Sequence, residues 1–250
     1  MSLRLERHGP IGHILIDRPG KRNAFNQDMW EQLPVLLKAA VIDRAIRVVV
    51  VQSATPGMFC AGADIGELMM HKDNPAWREV NQAAINRAQH DLARFAKPTI
   101  AFIDGDCVGG GCGIAIACDI RVATPLARLG ITPSKLGLVY PLHDTKLLVD
   151  LVGPGQAKKL LYTGELLSAD DALRIGLVEV INENASSLAR QIADNSAHST
   201  HEIKGFVRRI LDGQVDDDRE TKRIFADAFA QPDFVEGTTA FIEKRKPEFR

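Results

Sequence analysis

The sequence predicts a mostly parallel α/β core followed by a helical C-terminal region. Apolar runs at strand spacing alternate with runs at helical spacing through the first two thirds of the 250 residues. Two glycine-bearing segments, FCAGADIGEL (59–68) and DGDCVGGGCGIAIACDIRVA (104–123), each follow a β-branched stretch and lead into a helix start. Glycine at such junctions lets the backbone approach a ligand and aim an N–H at it. After about residue 184 the pattern is helical only, so the division expected is a core over 1–183 and a helical region over 184–250.

The elements follow in order. LRLERHG and HILIDRP read as two short strands joined by a Gly-Pro-Ile-Gly turn. Asn26 to Ala40 reads as an amphipathic helix with Met29, Leu33, Leu36 and Leu37 on one face. RVVVVQS is apolar without interruption, the pattern of a strand covered on both faces. A polar stretch near His71–Pro75 precedes a helix reaching about Phe95, and KPTIAFIDG is the next buried strand, closed by glycine. CGIAIAC is helical and DIRVAT returns as a strand. From Thr145 helix dominates: Ser168 with Asp171 forms a capping-box variant, Gly176 stops that helix, and LVEVI is a short strand. The last helix expected is Asp233–Lys246.

Composition narrows the function classes. Charge is balanced, 31 basic against 32 acidic residues, without the basic excess of a nucleic-acid binder. No apolar run approaches the roughly 18 residues of a membrane span, and the first residues lack an apolar leader core, so a cytoplasmic protein is expected. The four cysteines form no CxxC pair, which fits small buried thiols and no metal site. There is no G-x-S-x-G elbow and no Walker sequence. GPGQAK follows a helix and lacks the third glycine of a dinucleotide fingerprint.

The two glycine segments, with RPGKRNAFN (18–26), the long KLGLVYPLHDTKLLVDLVGPGQAKKLLYTGELLSADDALRIGLVEVI segment and AFIEKRKPEF near the end, resemble the crotonase (enoyl-CoA hydratase/isomerase) superfamily over nearly the whole chain. The resemblance implies a spiral of ββα units with a C-terminal helical region that packs between subunits, as a homo-trimer or dimer of trimers. It implies an acyl-CoA substrate, coenzyme A entering as part of that substrate with no separate cofactor. The backbone N–H groups of Ala63 and Gly110 would form the oxyanion hole. Arg22, Ala24, Ala61, Ala63, Asp64, Ile65 and Gly110 would line the coenzyme A site, with Lys244 or Lys246 reaching a neighbour's phosphates.

One departure matters. The two glutamates of the family's hydratases fall here on Gly113 and Pro133, neither of which can carry a proton. Three side chains are candidates to act in their stead. Tyr140 falls where decarboxylating relatives carry a tyrosine, and is otherwise a core residue with its hydroxyl at the rim. His143 is a general base near neutral pH, or an exposed histidine beside a helix-capping Asp144. Glu67 is placed to overhang the acyl pocket, while Asp64 holds position and Asp119 caps or turns. The expected functions are therefore an enolate-stabilising acyl-CoA enzyme, a decarboxylase of a malonyl-type CoA using Tyr140, or an acyl-CoA binder with little turnover.

Overall fold

A computed structural model describes residues 2–249. Strands β1 (Leu3–His8) and β2 (Ile11–Ile16) pair antiparallel, Leu3 opposite Ile16 and His8 opposite Ile11. The turn between them is only Gly9-Pro10, shorter than expected. Ile11 and Gly12 are drawn into the strand because they also pair with Val48 and Val49 of β3 (Val48–Ser53). Asn26 caps α1 (Gln27–Ile42), its side chain accepting from the Met29 N–H, and the helix buries Met29, Trp30, Leu33 and Leu37.

The main sheet runs β1-β2-β3-β5-β7-β10, with β5 at Thr99–Ile103, β7 at Ile120–Ala123 and β10 at Val180–Ile181; every pairing from β2 onward is parallel. The unbroken apolar run in β3 has a simple cause. Val49 and Val51 pack into the cluster that holds Trp30 and Leu33, whereas Val48 and Val50 pack with Ala185 and Ala189 on the opposite face. Side chains alternate along a strand, so both faces must be apolar when both are covered.

A second sheet, absent from the sequence reading, is built of very short strands: β4 (Met58–Cys60), β6 (Asp106–Val108), β8 (Arg128–Gly130) and β9 (Leu167–Ser168), in that order. Three residues are too few to display a period of two, which is why they went unread. Each of β4, β6 and β8 follows a main-sheet strand and precedes helix: α2 (Ile65–Met70) with α3 (Pro75–Ala93), then α4 (Gly110–Ala117), then α5 (Leu142–Thr163). The repeat is the ββα spiral expected. α5 breaks at Gly153, whose φ of +73° interrupts the helix ahead of Pro154. α6 (Ala169–Arg174) precedes β10, and beyond it the described residues form only helices: α7 (Ser186–Ala193), α8 (Ala197–Leu211), α9 (Arg219–Ala228) and α10 (Pro232–Glu243). No helix among the described residues is long and apolar enough to cross a membrane.

Candidate active site

Strands β4 and β6 lie side by side and parallel, so the turns leaving their C-terminal ends emerge together. The first is Ala61–Asp64 and the second Gly109–Gly110. Glycine sets how closely they meet. A Cβ on Gly62, whose φ is +100°, would lie 2.9 Å from the Val108 carbonyl oxygen and 3.2 Å from the Gly110 nitrogen. A Cβ on Gly111 would lie 2.5 Å from the Cys60 carbonyl oxygen. Only bare backbone fits at both positions.

Phe25 orients the first donor. Its N–H donates to the Gly62 oxygen, and its own oxygen accepts from the Asp64 N–H. In this parallel bridge the intervening Ala63 N–H points away from Phe25, toward the second turn. Gly110 opens α4 and so has no partner within its helix. Among the described residues neither the Ala63 nor the Gly110 N–H donates to a protein acceptor. The edge of the buried Trp30 indole lies 3.3 Å from where a Gly110 Cβ would stand, and backs this pair of donors. Two convergent N–H groups at a helix N-terminus are chemically suited to hold one developing oxyanion.

The loop from Arg18 to Asn26 wraps the first turn. The Arg22 carbonyl accepts from the Ala61 N–H at 3.0 Å, and its guanidinium reaches Asp106 at 3.1 Å. The Ala24 oxygen accepts from Arg18 Nη1 at 2.8 Å. Asn23, buried and missed in the sequence reading, donates to Ser53 Oγ and to the Met58 and Phe59 carbonyls, fastening the loop to β4. Asp64 caps α2 and pairs with Arg18 at 2.8 Å. Burial pushes its carboxyl up, but the Arg18 guanidinium and the Glu67 N–H outweigh that and leave it below its usual value. Ile65, next along, is exposed. Glu67 spends one carboxylate oxygen on the Gln27 N–H at 2.9 Å, so it caps α1 from across the turn.

One helical turn beyond Gly110 comes Gly113. A Cβ there would stand 2.2 Å from Gln89 Nε2, 3.0 Å from the Tyr140 hydroxyl and 3.2 Å from Asp144 Oδ2. The three side chains are 1%, 9% and 2% exposed. Gln89 Nε2 donates to Asp144 Oδ2 at 3.3 Å, the Tyr140 hydroxyl donates to the Gly109 oxygen at 3.4 Å, and His143 Nδ1 lies 3.2 Å from Asp144 Oδ1. Burial pushes the Asp144 carboxyl up, with His143 pulling the other way. Burial also pushes the Tyr140 phenol well up, so it keeps its proton.

Asp144 is thus not the helix cap that the sequence suggested. Pro141 occupies that position, and Asp144 is the third residue of α5, turned inward. The neighbouring His143 is three-quarters buried rather than exposed. Gln89 was missed because it sits mid-helix in α3, in no motif. Pro133 opens a short 3-10 helix directly after Thr132, whose hydroxyl lies 3.7 Å from the Cβ position of Gly109.

Other candidates fall elsewhere. Lys244 ends α10, and the tail beyond it is tied by Lys246 to Asp194 at 2.5 Å and by Arg47, just ahead of β3, to the Phe249 oxygen. Within one chain, no contact joins Lys244 to the turns among the described residues. His71 stacks on Trp77 at 4.3 Å. Asp119 accepts from the Thr99 N–H and pairs with Lys204 at 2.7 Å, a turn role. All four cysteines are free and buried, and burial pushes Cys60 and Cys118 up to about 12.

A ββα spiral whose paired strand ends present two adjacent backbone donors defines a crotonase-type scaffold. The family described as enoyl-CoA hydratase/isomerase matches residues 6–250, and the chain belongs to it. The chain is 34% identical to a short-chain-enoyl-CoA hydratase of Clostridium acetobutylicum, over 98% of this chain and 95% of that protein. It is also 34% identical to a crotonyl-CoA hydratase of Syntrophomonas wolfei, over 98% and 96%. The crystal structure of an enoyl-CoA hydratase/isomerase family protein from Hyphomonas neptunium superposes with a TM-score of 0.94 at 36% identity, covering 100% of this chain and 98% of that one.

Proposed function

We propose that the protein is an acyl-CoA enzyme that stabilises a thioester enolate. The observation that carries this is the pair of unengaged N–H groups of Ala63 and Gly110, held side by side at the ends of β4 and β6. A thioester's α-carbon releases a proton or a carboxylate only when charge on the carbonyl oxygen is stabilised. One such donor is typically worth roughly 3–4 kcal/mol of barrier. Coenzyme A lies along Arg22, Ala24, Ala61, Asp64 and Ile65. A neighbouring subunit supplies Lys244, in a trimer or dimer of trimers. The exposure of Phe225, Phe229, Phe241 and Ile242 on α9 and α10 supports that assembly, since such apolar surface is ordinarily covered.

Within the family, the reaction best supported is decarboxylation of a malonyl-type CoA. Hydration needs two carboxylates to hold and split one water, and Gly113 and Pro133 offer neither. The specific observation favouring decarboxylation is the Tyr140 hydroxyl, placed by Gly113 and next to the Gly109–Gly110 turn. It is neutral, and by turning from the Gly109 oxygen it can donate to a departing carboxylate held out of the enolate plane. The breaking C–C bond's electron pair moves into the thioester, and the oxyanion hole takes the charge.

The test is incubation with crotonyl-, 3-enoyl-, malonyl- and methylmalonyl-CoA, with products read by mass, beside an acetyl-CoA titration by calorimetry. Saturable binding, loss of CO2 from a malonyl-type thioester and slow hydration of crotonyl-CoA are expected. No heat up to millimolar acetyl-CoA overturns the acyl-CoA reading. Crotonyl-CoA hydration at a rate normal for two-glutamate enzymes overturns the argument from Gly113 and Pro133.

A further inference from the structure

An enolate left by CO2 must take up a proton, and a glutamate-free site needs another group to deliver it. We infer that Asp144 and His143 form the proton relay between the substrate α-carbon and solvent, with Gln89 as the residue that positions it. The inference rests on the enolate reading above and extends it to the group that moves the proton.

The groups run in order from the Gly110 turn to a pocket between α3 and α5, where the His143 side chain is 25% exposed although its Nε2 is buried. Asp144 Oδ2 lies 3.2 Å, and the Tyr140 hydroxyl 3.0 Å, from where a Gly113 Cβ would stand, one helical turn from the Gly110 donor. Its other oxygen, Oδ1, meets His143 Nδ1 at 3.2 Å. The His143 ring lines an open pocket between α3 and α5 together with Asn86, His90 and Pro141, and lies 5.8 Å from the His90 ring. A carboxylate that is 2% exposed has no structural reason to lie here unless it is partnered, and a buried charge facing an apolar core is costly.

Two buried atoms within the chain of groups lack any protein partner: Gln89 Oε1 and His143 Nε2. Gln89 donates Nε2 to Asp144 Oδ2 and so fixes which oxygen faces Gly113. Its amide takes up the room that a side chain at 113 would need.

The step balances. Loss of CO2 leaves the bond pair on the enolate. The α-carbon then takes a proton from the Asp144 carboxyl, His143 Nδ1 returns one to Oδ1, rotation of the carboxyl about Cβ–Cγ turns that proton toward Gly113, and His143 is reprotonated by water reaching Nε2 from the pocket between α3 and α5. One solvent proton is consumed for each CO2 released. Run backward, the same relay removes an α-proton from a simple acyl-CoA and exchanges it with solvent.

Exchange therefore supplies the test. Propionyl-CoA is incubated with the full-length protein in D2O and deuterium at the α-carbon is followed by mass, with acyl-CoA affinity measured in parallel. The natural protein should exchange. Asp144→Asn, nearly isosteric, should slow exchange by at least about 100-fold, the usual scale for one positioned acid–base group, with affinity unchanged. His143→Gln should slow it less and recover in added imidazole. Gln89→Glu, which keeps shape but not the donor, should fall between.

Failure of the natural protein to exchange overturns the enolate reading and the relay with it. Exchange by Asp144→Asn at the natural rate overturns the relay alone. If Asp144→Asn does not fold, His143→Gln decides: undiminished exchange in that variant equally overturns the relay.

Discussion

Gly113→Ala probes the packing of Gln89, Tyr140 and Asp144 over Gly113. The added methyl carbon would lie 2.2 Å from Gln89 Nε2, so the carboxamide must swing away. Its hydrogen bond to the buried Asp144 carboxyl is then lost, at a cost of about 1.5–3 kcal/mol for a bond to a charged group. Gly113 lies inside α4, where alanine is preferred over glycine by about 1 kcal/mol. The variant should be destabilised by roughly 0.5–2 kcal/mol, the difference of those two effects. In a Gln89→Ala background the Gln89 contact and the bond are both gone, leaving the contacts of 3.0 Å to Tyr140 and 3.2 Å to Asp144, so the same change should be milder by about 1.5–3 kcal/mol. The coupling between the two positions is then about 1.5–3 kcal/mol. Urea unfolding of the natural protein, both single variants and the double variant, at one protomer concentration, measures it directly. A coupling below about 0.5 kcal/mol, the scatter expected of independent sites, would refute the view that Gln89 fills the glutamate's place. The same geometry implies that Gly113→Glu alone brings back no hydration, because its side chain meets Gln89 first.

Three further outcomes are expected. Tyr140→Phe removes only the hydroxyl, so kcat on a decarboxylated substrate should fall about 10- to 150-fold, the equivalent of about 1.5–3 kcal/mol, while stability falls by no more than about 0.5–1.5 kcal/mol for the lost bond to the Gly109 oxygen; unchanged turnover returns Tyr140 to the core. Asp144 carries a carboxyl pushed up by burial, so the folded chain holds its proton to higher pH than the unfolded chain does. Its contribution is therefore lost as pH rises from the unfolded value of about 3.9 through the folded one, and Asp144→Asn should gain Tm relative to the natural protein as the pH is raised above about 4; a difference that does not change with rising pH contradicts the assignment. Light scattering at micromolar concentration should return a multiple of 27.4 kDa, and a monomer mass would rule out a neighbour's Lys244 at the site.

The sequence by itself determined the main sheet, the order of its helices and the two turns that hold the backbone donors. Those features are local. Val48–Val51 is apolar throughout because both faces are covered, and glycine at 62 and 111 stands where backbone meets backbone. Ser168 and Asp171 form their helix cap within one turn, and the structure keeps it.

Only the tertiary structure decided which side chains meet over Gly113. Gln89, Tyr140 and Asp144 come from three separate segments and meet over Gly113, and nothing in the spacing of 89 to 144 encodes that meeting. The sequence made Asp144 a helix cap because aspartate near a helix start usually is one, whereas α5 begins at Leu142 and its first turn rotates Asp144 into the core. The second sheet escaped for a related reason: three-residue strands are held by their neighbours across the sheet, and carry too few side chains to announce themselves along the chain. Backbone sites can be read from sequence where glycine must stand; side-chain sites gathered from distant segments depend on packing, which acts across space and leaves no period behind.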